Sequence, residues 1–160
     1  MPEFIIRSLI SADRKWVIQR IVESWGAEIA VVHETIYRPA DLPGFAAFDG
    51  NQAIGLITYH IEGKACEIVT LDSWRESQGV GAALIEAVKQ VANQEDCMRL
   101  WLVTTNDNTR ALRFYQKHGF ILGALRVDAV AGSRKLKPEI PLTGQDGIPI
   151  RDEIELEMSL

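Results

Sequence analysis

A chain of 160 residues with 47% hydrophobic and 24% charged side chains can bury a core of its own and has the composition of a globular protein. Its net charge of −5 disfavours a nucleic-acid partner, and no apolar run approaches the roughly 20 residues that a membrane-spanning helix needs. No repeat or linker divides it, so we expect one domain over residues 1–160.

The two cysteines and the N-terminal segment indicate a cytoplasmic protein. Cys66 and Cys97 lie in apolar stretches without metal-ligand spacing, so we expect buried free thiols and no metal site. The first ten residues lack the basic region and small-residue cleavage site of a secretory signal.

The first quarter of the chain predicts a strand, a helix and a further strand. Residues 3–9 form a short β-rich run. Ser11 and Asp13 offer side-chain oxygens to cap a helix that ends at Gly26. The β-branched residues within 28–37 indicate an extra strand.

Three β-rich runs follow between residues 44 and 74. They are separated by Asp49-Gly50-Asn51 and by Glu62-Gly63-Lys64, which are turn sequences typical of hairpins. We therefore predict an antiparallel meander.

Helices and strands alternate in the second half. Apolar residues from Val80 to Val91 lie on one face of a predicted helix, and residues 98–104 form a compact strand. Residues 108–118 indicate a second helix that stops at Gly119, followed by strand from residue 120 to 130.

The C-terminal segment gives the clearest strand pattern. From Ile148 to Leu160, apolar residues alternate with charged ones, which predicts a half-buried strand with a charged outer face. Residues 131–149 show no clear element, and so long a loop is uncommon unless it is functional or mobile. The element order predicts an α+β domain with helices packed on a sheet.

A glycine-rich turn, Gln78-Gly79-Val80-Gly81-Ala82, precedes the predicted helix whose apolar face runs from Val80 to Val91. Glycine allows close backbone approach, and the unpaired N–H groups of a helix start attract anions. The Walker pattern is absent, and Leu84 occupies the third glycine position of the dinucleotide fingerprint. From these residues alone, phosphate binding and simple close packing are equally good interpretations.

One face of the second helix carries Asn108, Ala111, Leu112 and Tyr115. Phe114 is expected to turn towards the core. A tyrosine in this position is more often a half-buried core residue than a catalytic acid, so periodicity alone gives it no catalytic role.

Two motifs resemble those of a known family. The run from Leu71 to Leu84 resembles the acetyl-CoA-binding motif of GNAT (Gcn5-related N-acetyltransferase) enzymes, a strand followed by Gln/Arg-x-x-Gly-x-Gly/Ala and a helix. The run Asn108–Phe120 resembles the second signature of that family, Asn-x-x-Ala-x-x-Phe-Tyr-x-x-x-Gly-Phe. The resemblance implies a GNAT fold, with a mixed but mostly antiparallel sheet of about six to seven strands and helices on both faces.

The resemblance also implies acetyl-CoA as co-substrate and a set of site residues. Tyr115 matches the residue that protonates the departing CoA thiolate, and Glu67 resembles the position of a general base. A water relay, with Glu67 as an outward-facing strand carboxylate, is the alternative. Glu76 departs from the family pattern, which has Gln or Arg there. The expected acetyl-CoA-binding residues are Leu71, Asp72, Ser73, Gln78, Gly79, Val80, Gly81, Ala82, Asn108 and Tyr115.

Acceptor specificity in such enzymes usually comes from loops, here residues 25–43 and 131–149. Two groups of side chains are candidates, and each is also explained as solvated surface residues. The acids Glu34, Asp41 and Asp72 suit a cationic amine, and the basic cluster Arg134, Lys135 and Lys137 suits an acidic acceptor or the 3′-phosphate of CoA. The scattered histidines His33, His60 and His118 have no metal-ligand spacing, so we interpret them as structural.

The predicted function is acetyl transfer from acetyl-CoA to the primary amine of a small molecule. A protein or peptide N-acetyltransferase and a non-catalytic CoA-binding sensor are the alternatives. Tyr115 argues against the sensor, because a binder needs no acid there. The clean C-terminal alternation suits either a homodimer joined through that strand or a strand paired within one chain.

Overall fold

The structure is a computed structural model and describes residues 3–160. Its elements are β1 (Ile5–Ser8), α1 (Arg14–Trp25), β2 (Ala30–Val32), β3 (Thr35–Tyr37), β4 (Gly44–Asp49), β5 (Gln52–Glu62), β6 (Ala65–Ser73), α2 (Val80–Gln94), β7 (Arg99–Thr105), α3 (Thr109–Lys117), β8 (Ile121–Arg126), α4 (Val130–Leu136) and β9 (Glu153–Ser159). Within this range no helix is long and apolar enough to cross a membrane.

Seven strands form one sheet in the order β1-β4-β5-β6-β7-β9-β8. Every neighbouring pair is antiparallel except β6 and β7, which run parallel. The meander of β4, β5 and β6 turns at the two glycine sequences that predicted it. The predicted α+β class and mixed, mostly antiparallel sheet are therefore confirmed.

Helices cover both faces of this sheet because successive strand residues point to opposite sides. On β5, Leu56 packs with Val17 and Ile21 of α1, whereas Ile57 belongs to the core cluster on the other face, with Leu84 of α2. All five are buried.

The sheet splits between β6 and β7. These strands pair only where Ala65, Cys66 and Glu67 lie opposite the start of β7, and their later residues do not pair with each other. The register between β5 and β6 shifts at the same level, which leaves Val69 as an extra residue of β6. Such a bulge bends a strand and increases its twist, and here it accompanies the split.

The extra strand predicted within residues 28–37 is two strands. β2 and β3 form an antiparallel hairpin separate from the main sheet. His33 and Glu34 make its turn, both with positive φ (42° and 61°). A two-residue turn of this type joins closely spaced strands, and β-branched enrichment alone could not reveal it.

The C-terminal third departs further from the prediction. Helix α4 occupies part of the segment predicted to lack an element, and β8 ends at Arg126 rather than near residue 130. Strand β9 begins at Glu153, not at Ile148, and it lies between β7 and β8. Because both edges of β9 are paired within the chain, that strand offers no free edge to a second copy, and the alternation reflects intrachain pairing.

The capping role of Asp13 differs in position from the prediction: its carboxylate accepts the Ile10 N–H in a capping box on the short 3-10 turn of residues 11–13 that precedes α1. The Asp13 carboxylate accepts hydrogen bonds from Arg7, from the Ile10 N–H and from the Trp16 indole, and it makes no cap bond to α1. These donors hold the pKa of Asp13 well below its usual range, with the Arg7 guanidinium as the main cause. Gly26 does end the helix, in a left-handed conformation with φ 81°.

Candidate active site

The glycine turn between β6 and α2 exposes the start of the helix. Ser77 and Gly79 have positive φ, and Gly79 is the residue from which α2 begins. The N–H groups of the first helical turn, from Val80 to Ala82, have no intrahelical acceptors. Gly81 allows close packing, because a Cβ there would lie 3.0 Å from the tip of the Phe114 ring of α3, and the ring would have to shift. The turn thus presents unpaired N–H groups at the helix start and packs closely against α3.

A cleft of about 650 Å³ opens in front of this turn. Nine of the ten predicted acetyl-CoA-binding residues line it: Leu71, Asp72, Ser73, Gly79, Val80, Gly81, Ala82, Asn108 and Tyr115. Gln78 does not; its Oε1 atom is buried and has no hydrogen-bond partner among residues 3–160.

Basic side chains that sequence reasoning missed also line the cleft. Arg75, Arg110 and Lys117 lie on its wall. Arg110 forms a 3.1 Å ion pair with Glu76, and both side chains are about three-quarters exposed. The unusual acid at position 76 therefore points to solvent and is neutralised by a neighbour. Arg110 lies one helical turn before Phe114 in α3, and Phe114 packs against Gly81 of the glycine turn. Helical spacing relative to Phe114 therefore places Arg110 beside that turn.

The predicted basic cluster of residues 134–137 is not a cluster. Arg134 donates to the carbonyl oxygens of Pro141 and Ile150, both at 2.7 Å. Lys137 is buried and donates to the carbonyls of Trp25 (2.8 Å) and Ile29 (3.0 Å), and burial lowers its pKa. Arg134 and Lys137 thus tie the 137–150 segment to α4 and to the end of α1.

A second cavity of about 340 Å³ lies at the split between β6 and β7. Its walls come from the open halves of both strands, from the end of α1 and from Gln145. Five residues line both spaces and form their common boundary: Leu71, Asp72, Asn108, Ala111 and Tyr115.

Tyr115 is a buried member of this boundary. Burial raises the pKa of its phenol well above the usual value, and the nearby Asp72 carboxylate raises it further. The phenol therefore keeps its proton at neutral pH. Phe114 and Phe120 pack edge-on against its ring and fix its direction.

Asn108 holds the start of α3 next to Tyr115. Its Oδ1 atom accepts the Ala111 N–H at 3.3 Å, which is a helix cap, and also the Gln145 side-chain amide at 3.3 Å. Its Nδ2 atom donates to Thr104 of β7 at 3.3 Å. Asn108 thus links α3, β7 and the 137–150 segment at the boundary of the two spaces.

Glu67 lies where β6 and β7 still pair, beneath the β2–β3 hairpin. Its side chain is 3% exposed, and Tyr37 donates to Oε1 at 2.6 Å while His33 Nε2 lies 2.9 Å from Oε2. The pKa of His33 is raised mainly by this hydrogen bond. Glu67 lines neither space. His33, which the sequence suggested was merely structural, therefore contacts a candidate catalytic residue.

Asp72 has different surroundings. It lines both spaces, and its Oδ2 accepts one hydrogen bond in the described part of the chain, from the Trp25 indole at 3.3 Å. Burial raises the pKa of this carboxyl, and the Trp25 bond opposes that shift. The other predicted acceptor-site acids are elsewhere: Asp41 pairs with Arg14, and Glu34 is exposed.

Comparisons with known proteins agree with this geometry. The model of the acetyltransferase (GNAT) family matches residues 13–120, so the chain belongs to the GNAT acetyltransferase family. The uncharacterised protein YdhI of Bacillus subtilis (strain 168) is 47% identical over 131 residues, which cover 81% of this chain and 82% of YdhI.

Solved structures show the same fold. An IAA acetyltransferase from Bacillus cereus superposes with a TM-score of 0.72 at 19% identity, covering 99% of this chain and 100% of its own. A GNAT family acetyltransferase from Elizabethkingia anophelis, solved with acetyl-CoA bound, superposes with a TM-score of 0.69 at 20% identity, covering both chains completely.

Proposed function

We propose that this protein is an acetyl-CoA-dependent N-acetyltransferase that acetylates the primary amine of a small molecule. The observation that carries the proposal is the position of Tyr115 on the boundary between a cleft at a helix start and a separate polar cavity. The cleft at the α2 start, which we call the donor cleft, suits the acyl donor. The cavity at the β6–β7 split, which we call the acceptor cavity, suits the amine, and the protonated Tyr115 phenol lies between the two.

The donor cleft has the groups that acetyl-CoA requires. The free N–H groups of the α2 start and the basic side chains of Arg75, Arg110 and Lys117 suit its phosphates. Beyond Glu67, the edge of β6 that faces β7 is unpaired, so peptide groups near Leu71 can pair with the pantetheine arm like an added strand.

The reaction is direct attack of the amine on the thioester. Tyr115 donates a proton to the departing thiolate as the C–S bond breaks. With ordinary pKa values of about 10 for the phenol and 8.5 for a thiol, the transfer is modestly uphill and is feasible because it is coupled to departure of the thiolate. A carboxylate removes a proton from the incoming ammonium group. Glu67 stays a prediction for that role, with both of its oxygens already bonded.

A small acceptor suits the size of the second cavity. Its volume of about 340 Å³ is at the lower end for small-molecule sites. The 137–150 segment closes one side through Gln145, whose backbone N–H is bonded to Asp107. The buried free thiols of Cys66 and Cys97 suit a reducing compartment, which supports action in the cytoplasm.

The test is thiol release from acetyl-CoA across a panel of small amines and of peptides with free N-termini. We expect turnover with small amines and none with peptides. Turnover with peptides alone would make the protein a peptide N-acetyltransferase. CoA binding without thiol release from any acceptor would make it a sensor.

A further inference from the structure

Two carboxylates on β6 could receive the amine proton, and their surroundings differ. The oxygens of Glu67 are bonded to Tyr37 and His33, and the hairpin covers the side chain. A proton acceptor must come within hydrogen-bond reach of the group it deprotonates, directly or through one water. Glu67 lines neither space, so an amine in the acceptor cavity does not reach it directly.

Asp72 meets the same requirement without rearrangement. It lies on the wall shared by the donor cleft and the acceptor cavity, beside Tyr115. The single hydrogen bond from Trp25 occupies Oδ2, which leaves Oδ1 with capacity for an ammonium donor.

The charge of the acceptor cavity points the same way. Among the described residues that line it, Asp72 is the one acid, Tyr115 is the one other titratable side chain, and none is basic. A partly buried carboxylate without a cationic partner favours a positively charged ligand. We propose that Asp72, rather than Glu67, selects a cationic primary amine and accepts its proton during acetyl transfer. This inference rests on the proposed function and deepens it.

The protons balance as follows in the proposed reaction. The ammonium group gives one proton to Asp72, which passes it to solvent, and the neutral amine forms a C–N bond with the thioester carbon. The C–S bond then breaks, and Tyr115 protonates the thiolate. The remaining surplus N–H proton restores the phenol, so one proton is released for each amide formed.

Burial adapts Asp72 to this task. Burial raises the pKa of the carboxyl above its ordinary value, which makes the carboxylate a stronger base than a solvated aspartate. The groups facing it are the Trp25 indole of α1 and the Tyr115 phenol of α3. Across the donor cleft, Arg75 pairs with Asp49, and Arg110 with Glu76.

The first test compares Asp72→Asn with Glu67→Gln, two nearly isosteric changes on one strand, using the best amine of the panel. For Asp72→Asn we expect kcat/KM at pH 7 to fall about 100-fold, with recovery at alkaline pH as the amine, with a pKa near 10.4, loses its own proton. Glu67→Gln should keep the wild-type pH profile, whatever it costs in stability. The exposed change Glu86→Gln is the neutral control.

Trp25→Phe gives a finer readout of the same site. Losing the indole donor removes the bond that opposes the raised pKa of Asp72, so the acidic limb of kcat/KM should move to higher pH. A loss of activity with an unmoved limb would contradict the proposal. So would a Glu67→Gln enzyme that shows the alkaline recovery expected for Asp72→Asn.

The second test does not require turnover, so it separates this inference from the proposed function. n-Butylammonium and its neutral isostere 1-butanol are titrated into the CoA-bound protein, and the Trp25 indole N–H resonance is followed by NMR. We expect a saturable shift with butylammonium alone, and its loss in Asp72→Asn. Equal responses to both probes, or an undiminished response in Asp72→Asn, would overturn the cation-selecting role even if amines were acetylated.

Discussion

Glu67 and Asp72 lie on the same strand, yet one is closed off and the other is open. At Glu67, β6 still pairs with β7, and the β2–β3 hairpin supplies two hydrogen-bond partners. At Asp72 the two strands have separated, and two ligand-sized spaces meet at the side chain. Residue type alone does not decide the role of a carboxylate. Whether the strand is paired beside it decides whether a ligand can reach it.

The comparison predicts that Glu67 supports stability more than Asp72 does. Glu67→Leu leaves Tyr37 and His33 facing an apolar group, so we expect the free energy of unfolding to fall by about 3 kcal/mol, as for a buried pair that loses one partner. Urea unfolding measures this. Asp72→Asn should cost less than about 1 kcal/mol, because Asp72 is bonded to one donor only. Similar decreases in unfolding free energy in both variants would contradict the proposed difference between Glu67 and Asp72.

Tyr115→Phe tests the region around Asp72, where β6 and β7 have separated, through its effect on catalytic activity. Removing the phenol should lower kcat about 100-fold, because no acid then protonates the leaving thiolate, while the Kd of CoA stays within about threefold. Steady-state thiol release and calorimetry measure the two quantities. Tyr59→Phe, a buried tyrosine that lines neither space, is the matched control. An unchanged kcat in Tyr115→Phe would show that the thiolate leaves without this acid.

The stability contribution of the Glu67 region, where β6 still pairs with β7, should depend on pH through His33. Its pKa is raised in the folded protein by Glu67, so the pair contributes most below the unfolded value of about 6.5, and the contribution is lost as pH rises through the raised folded pKa. The difference in unfolding free energy between the wild type and His33→Gln should therefore shrink from pH 6 to pH 9.

The control for this pH effect is the same substitution in a Glu67→Gln background. In that background His33 Nε2 faces a neutral amide instead of the Glu67 carboxylate, so the pH-dependent part of the difference in unfolding free energy should be smaller. A difference of the same size at every pH in the wild-type background would contradict the charge interaction between His33 and Glu67.

Much of the fold could be predicted from local signals. The hairpin turns at Gly50 and Gly63 and the helix end at Gly119 depend on neighbouring residues, and the structure has all three. Helix α4 could not be predicted in the same way. It is short, it contains Gly132, and its position depends on distant bonds from Arg134 and Lys137.

The sequence allowed the residues of the cleft at the α2 start to be grouped, but not those of the cavity at the strand split. The glycine turn and α3 are contiguous motifs, so their residues could be assigned to the cleft before the structure was known. The partners of Glu67 come from a hairpin distant in sequence, and the access to Asp72 depends on the bulge at Val69 and the split beside it. These features belong to the tertiary structure, and residue spacing along the sequence does not predict them.

A third acid, Glu76, lies beyond the open end of β6 and should have the smallest effect. It is exposed and paired with Arg110 at the mouth of the donor cleft, so it draws one cation away from the ligand. Glu76→Gln should lower the Kd of CoA about threefold at low salt, within the range of exposed ion pairs, and the gain should vanish at about 0.5 M salt as charges are screened. Arg110→Gln should weaken CoA binding with the same salt dependence, whereas Glu86→Gln, on α2 outside the cleft, should change neither. If Glu76→Gln weakened CoA binding instead, its carboxylate would be holding Arg110 in the position from which it contacts the cofactor.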